Sequence, residues 1–215
     1  MGMRRIAALL AGLVSLSLFL TAPASAAPAS LTECSAELYA GDSRLGPAGL
    51  PKLGAVGVQL IGYNRTGHRP VEVFLDRYYD EDAGSWRYPP DDGYAPGPDG
   101  EPVKWTQNLS EGWLIDRYGS EYGAFLAPAG LPYTTRSIPP SNLVGTPAAG
   151  CNYHRYQVLR PFEVQAGPIA PWFFQTGGGL QYQLSGALVP GAPDRLSVMW
   201  LVDNGYLSRV VSPST

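Results

Sequence analysis

Histidine and cysteine are nearly absent from this 215-residue chain, which has two of each. His68 and His154 cannot supply the nitrogen and sulfur ligands of a zinc site. A serine triad or a cysteine-protease pair would have to draw its base from one of these two. Charged residues are also sparse at 15%, with 15 basic side chains against 18 acidic ones, so nothing in the chain seeks nucleic acid electrostatically. No internal repeat is visible. The longest apolar run, from Ile6 to Leu20, is shorter than the roughly 20 residues a spanning helix needs. With 45% hydrophobic and 11% aromatic residues, the chain is still rich enough to build a core and does not read as disordered.

The apolar run follows Arg4 and Arg5 and precedes Ala24-Ser25-Ala26, a small-x-small cleavage pattern. Residues 1–26 therefore read as a secretory signal, and the mature protein as secreted, with no membrane anchor. Losing Arg4 and Arg5 leaves 13 basic residues against 18 acidic ones, net −5. In an exported chain, Cys34 and Cys151 are best explained as one disulfide. Closing so long a loop stabilises by about 4–5 kcal/mol on the chain-entropy model. The alternative is a catalytic thiol at Cys151, with His154 three residues on. Asn64-Arg65-Thr66 and Asn108-Leu109-Ser110 are glycosylation sequons, which place both segments on the surface if the source glycosylates.

The 26 glycines and 21 prolines are spread along the chain, which implies many turns between short elements. A helix is expected from Arg69-Pro70, with Val71, Phe74, Leu75 and Tyr78 on one face packing against a sheet. A second is expected from about Leu196 to Asp203, capped by Asp194 and closed by Asn204-Gly205. Strands are expected at Val56–Ile61, Val103–Thr106, Trp113–Asp116, Tyr156–Leu159, Phe162–Val164 and Leu180–Leu184. The class is α+β, dominated by sheet. A soft boundary near residue 112 divides a small N-terminal lobe, 27–111, from a compact region, 112–211. Tyr88-Pro89-Pro90-Asp91-Asp92-Gly93 reads as a solvated turn, because its acids lack the spacing of a calcium loop. Gly177-Gly178-Gly179 precedes a strand and not a helix, so it reads as a tight turn. Taken alone, Arg117 and Arg136 would be surface ion pairs and His154 structural.

Asp116-Arg117-Tyr118-Gly119-Ser120-Glu121-Tyr122-Gly123-Ala124-Phe125-Leu126-Ala127-Pro128, with Arg136 and Ile138-Pro139-Pro140 beyond it, resembles the opening motif of the tuberculosis necrotizing toxin family. Tyr153-His154-Arg155-Tyr156, Gly167-Pro168-Ile169-Ala170-Pro171-Trp172-Phe173, Gly177-Gly178-Gly179-Leu180-Gln181-Tyr182 and Trp200-Leu201-Val202-Asp203-Asn204-Gly205-Tyr206 continue it. Upstream, Glu37 to Pro47 and Trp86-Arg87-Tyr88-Pro89-Pro90 are similar to the secreted fungal NADases. Phe174 stands where the family usually has glycine, and would narrow the pocket or alter its turn.

The resemblance implies a sheet-rich core distantly similar to ADP-ribosyltransferases, and hydrolysis of NAD⁺, with NADP⁺ beside it, to nicotinamide and ADP-ribose. It implies Gln181, Arg117 and His154 as catalytic residues. Arg117 and Arg136 would grip the diphosphate, Tyr118 and Phe125 would flank the substrate, and Gln181 would hold the ribose or orient water. No cofactor and no metal are expected, NAD⁺ being the substrate. Partners to look for are a second copy of the chain and an inhibitor protein in the producer, with no nucleic acid. Two rival readings are an ADP-ribosyltransferase, although Gly179-Leu180-Gln181 lacks that class's paired acidic motif, and a silent binding module on the same fold.

Overall fold

Apolar residues alternating with polar ones along short segments form a curled antiparallel sheet in the computed structural model, which describes residues 30–210. The expected signal at 1–26 lies outside the described residues. Before the sheet come two helices, α1 (Gly54–Gln59) and α2 (Val71–Tyr78), and a two-stranded hairpin of β1 (Tyr79–Asp80) and β2 (Ser85–Trp86). The seven-stranded sheet is made of β3 (Trp105–Leu109), β4 (Leu114–Tyr118), β5 (Phe125–Pro128), β6 (Tyr153–Val158), β7 (Phe162–Pro168), β8 (Leu180–Gln183) and β9 (Leu207–Arg209). Its spatial order is β3-β7-β8-β5-β4-β6-β9, every neighbour antiparallel. Helix α3 (Val198–Asp203) follows β8 in the chain. The architecture is α+β with sheet dominant. No helix among the described residues is long and apolar enough to cross a membrane.

One sheet face carries the main core, in which Ile115, Leu126, Tyr156, Val164 and Tyr182 meet Val198 and Leu201 of α3. A second cluster joins Tyr118, Tyr133, Leu143 and the Cys34–Cys151 disulfide. That disulfide ties the first described turns to the start of β6, as expected for an exported chain. The third cluster packs Phe74 and Tyr78 of α2 against Phe173 and Leu45. Helix α2 therefore buries the expected stripe in an aromatic cluster of loops and hairpin, not on the large sheet.

Three expectations are corrected. Residues 56–61 are not a strand: α1 covers Gly54–Gln59, leaving Val58 62% and Ile61 72% exposed while Gln59 is buried. Tertiary demand on Gln59, described below, overrides β propensity there. Helix α3 is capped by Ser197, whose hydroxyl accepts from the Trp200 amide at 3.2 Å, and not by Asp194. The edge strand β3 arises upstream of residue 112, so the boundary placed there divides the sheet's own chain. Strands β1, β2, β5 and β9 are not among those expected from the sequence. The cap gives a direct test: Ser197→Ala is expected to cost about 1 kcal/mol and roughly 2–4 °C in Tm. Asp194→Ala should leave the melt unchanged. Equal losses from both would mean that the helix begins where the sequence first suggested.

Candidate active site

Strands β4, β5 and β8 lie side by side, and at their ends a cleft of about 440 Å³ opens. Of the six residues expected to form the site, Arg117, Tyr118, Phe125, Arg136 and Gln181 line it, and His154 does not. Sequence reading missed the cover: Tyr88, Pro89, Asp92 and Gly93, the segment read as a solvated turn, form part of the cleft wall. Asp116, Ser137 and Asn142 also line it.

Gln181 sits on β8, 8% exposed, and its Nε2 donates to the Asp92 carbonyl at 3.1 Å. That bond fixes the amide, so Oε1 is the end left for a ligand. Gly93, at φ 83°, passes close enough that an added Cβ would meet Oε1 at 3.8 Å.

Arg117 alternates onto the core side of β4, directly across from His154 on β6. Its guanidinium folds beneath the Ser120–Gly123 turn, donating to the Ser120 carbonyl at 2.6 Å and the Phe125 carbonyl at 2.8 Å. Glycine is required along that route. A Cβ on Gly123 would overlap the guanidinium, and one on Gly119 would come 2.9 Å from Asn142 Nδ2. Among the described residues Arg117 makes no ion pair. Burial lowers its pKa from the ordinary value, opposed by Tyr156, Tyr88 and Glu121. An arginine remains charged regardless. Its only acceptors among the described residues are neutral backbone carbonyls, so its charge is uncompensated.

Arg136 is placed otherwise than the resemblance implies. It is 6% exposed and clasps the fully buried Asp116, with Nη1 to Oδ1 at 2.7 Å and Nη2 to Oδ2 at 3.0 Å. Nη2 also reaches Gln59 Oε1 at 3.0 Å, and Nε donates to the Leu131 carbonyl at 3.2 Å. Asp116 further accepts from the Gly130 amide and the Tyr153 hydroxyl, at 2.8 and 2.9 Å. A guanidinium so bonded is chiefly a wall of the cleft, with one Nη1 hydrogen free of partners among the described residues. This network is also why Gln59 is buried on a helix.

Tyr118 is likewise a buried residue, 2% exposed, packed between Tyr133 and Tyr153 at centroid distances of 4.9 Å, with Arg136 5.2 Å from its ring. Burial raises its hydroxyl's pKa, and that hydroxyl has no partner among the described residues. Phe125 is the open ring of the pair, 37% exposed at the mouth. Phe174 adopts φ 53° and packs against Tyr78, outside the cleft, so it changes the turn and does not narrow the pocket.

His154 pairs its Nε2 with Asn152 Oδ1 at 3.1 Å. Burial holds its pKa below the usual imidazole value, with Glu121 opposing. Glu121 itself is bound by Arg209 at 2.9 Å and by the Tyr156 hydroxyl at 2.7 Å. The imidazole thus sits near Asn152, Glu121 and Arg117 and is not among the residues that line the cleft. Among the described residues no three His, Cys, Asp or Glu side chains converge as metal ligands.

Residues 108–210 match the sequence family described as tuberculosis necrotizing toxin. A conidial surface nicotinamide adenine dinucleotide glycohydrolase of Aspergillus fumigatus is 42% identical over 173 residues, covering 79% of this chain and 70% of that protein. The structure of tuberculosis necrotizing toxin complexed with its immunity factor superposes with a TM-score of 0.50 at 18% identity, over 80% of this chain and 79% of the toxin, a likeness of fold. On the strength of the match to the fungal protein, the chain belongs to the tuberculosis necrotizing toxin family.

Proposed function

We propose that this protein is an NAD⁺ glycohydrolase, acting on NADP⁺ as well, that works outside the cell that makes it. The observation that carries the reading is the cleft itself. In a chain 42% identical to an NAD glycohydrolase, it is lined by Gln181, whose amide is fixed on β8, and by Arg117 of β4, which has no acidic partner among the described residues. That pair suits a dinucleotide whose diphosphate lies at Arg117 and whose nicotinamide ribose lies at Gln181.

The chemistry asks little of acids and bases. When the bond from ribose C1′ to the nicotinamide nitrogen breaks, its electron pair returns to the ring, which leaves neutral. No proton need be delivered, so a cleft without histidine is adequate. What the transition state needs is stabilisation of the positive charge growing on the ribose, for which the Gln181 Oε1 dipole is placed. Water then adds to C1′ and loses its proton to solvent, giving ADP-ribose. NAD⁺ is here the substrate, and no further group enters the scheme.

Secretion is supported by the signal-like residues 1–26 and by the surface location in the fungal relative's name. A dedicated inhibitor protein is a partner we add to the proposal, since the toxin of like fold was solved with its immunity factor. Incubating the purified protein with NAD⁺ should release nicotinamide and ADP-ribose in equal amounts. A folded protein that releases neither would sink the reading. Arg117→Ala should raise KM about 10- to 100-fold by removing charge-assisted bonds to the diphosphate. An unchanged KM would remove Arg117 from the substrate.

A further inference from the structure

The turn that covers the cleft contains a second unpaired charge. Asp91 and Asp92 adopt φ of 53° and 55°, left-handed backbone in which glycine would be unstrained, and Gly93 follows at 83°. Non-glycine residues are held in that region where the surrounding structure fixes them, and such strain gathers at sites. Here the fixing contact is known: the Asp92 carbonyl accepts the Gln181 amide at 3.1 Å. The same residue lines the cleft. Its carboxylate makes neither an ion pair nor a hydrogen bond among the described residues.

Four charged residues line this cleft. Asp116 and Arg136 neutralise each other at 2.7 Å. That leaves Arg117 on β4 and the solvent-exposed Asp92 beside Gln181 of β8 as unpaired charges of opposite sign, with β5 between the two strands. NAD⁺ has the complementary polarity, a doubly anionic diphosphate and a cationic pyridinium ribose.

We propose that Asp92 is the anionic pole of the cleft, facing the nicotinamide ribose end of the dinucleotide, so that one residue sets Gln181 through its carbonyl and attracts the substrate's cation through its carboxylate. The proposal rests on the NAD⁺ reading given above. The carboxylate forms no bond to the ribose and takes no proton. As C1′ loses the ring, positive charge moves from pyridinium to ribose without leaving the field of Asp92, so the carboxylate favours bound substrate and transition state alike and acts on KM.

The test compares ligands that differ in ring charge. Carba-NAD⁺ keeps the pyridinium but does not hydrolyse, and NADH has a neutral ring. By calorimetry the wild-type protein should bind carba-NAD⁺ about tenfold more tightly than NADH. Asp92→Asn removes the charge while keeping shape and tolerance of left-handed backbone. It should bring the two affinities within about twofold and raise KM for NAD⁺ about tenfold, whereas Asp92→Glu should restore part of both. An unchanged ratio or an unchanged KM in Asp92→Asn overturns the proposal. So does a wild-type protein indifferent to ring charge, a measurement that stands even if the variant does not fold. Failure of the NAD⁺ reading shows differently, as wild-type protein that releases no nicotinamide.

Discussion

Replacing Gln181 with alanine is expected to lower kcat for NAD⁺ by about 10²- to 10³-fold, the loss typical when one preorganised dipole is removed from a site of developing charge. The KM should move far less, because in the proposed reading Arg117 of β4 holds the diphosphate and Gln181 meets only the reacting end. The side chain is well suited to such a task. Strand β8 is an inner strand, hydrogen-bonded on both sides by β7 and β5, so its backbone has little freedom. The amide is then fixed by the Asp92 carbonyl. An acceptor that needs no reorientation as charge develops is worth more than a mobile one. Stability should fall by only about 1 kcal/mol for the lost hydrogen bond. Steady-state kinetics paired with a thermal melt check both halves. If KM rises while kcat holds, Gln181 is a binding contact only, and the dipole argument is wrong.

How far the sequence revealed this site depends on the kind of contact involved. Strands whose inward residues alternate, such as β6 and β8, were legible because Tyr156, Val158 and Tyr182 mark the buried face. Helix α2 was legible for the same reason at helical spacing. Strand β5 was not. It has four residues, ends in proline, and owes its extension to β4 and β8 on either side. Helix α1 was misread because Val56, Val58 and Ile61 carry the local preference, while the residue that matters, Gln59, answers to an arginine 77 positions away. The same separation explains the reassignment of Arg136. A family motif places that arginine at the site, but its partner Asp116 lies 20 residues upstream. Only the folded chain shows the charge already spent. Asp92 is solvent-exposed, as acids in a proline- and glycine-rich turn usually are, but nothing local says that β8 will bring Gln181 to its carbonyl. The repeated glycines at 119 and 123 were the one local sign of a long side chain passing under a turn.

Arg136→Met should test that reassignment. Methionine nearly fills the volume but removes every donor, leaving Asp116 charged, fully buried, and held only by the Gly130 amide and Tyr153 hydroxyl. Gln59 Oε1 loses its donor as well. Breaking a buried pair from one side costs about 3–5 kcal/mol, much of it from the charge left behind. For a chain of this size that lowers Tm by roughly 10 °C or more. Asp116→Asn alone should also destabilise, since it discards the charge that Arg136 was buried to meet. Joined with Arg136→Met it should cost less than the sum of the two, with a coupling of about 1–3 kcal/mol, because neither charge is then stranded. The outcome separates two physical roles for one arginine. A phosphate grip exposed to the cleft would show a near-normal melt, a raised KM and no coupling to Asp116. A buried wall shows the large melt and the coupling, and loses activity mainly through disorder of Tyr118, whose ring lies 5.2 Å from the guanidinium. A variant with wild-type Tm and a KM raised tenfold would return Arg136 to the diphosphate.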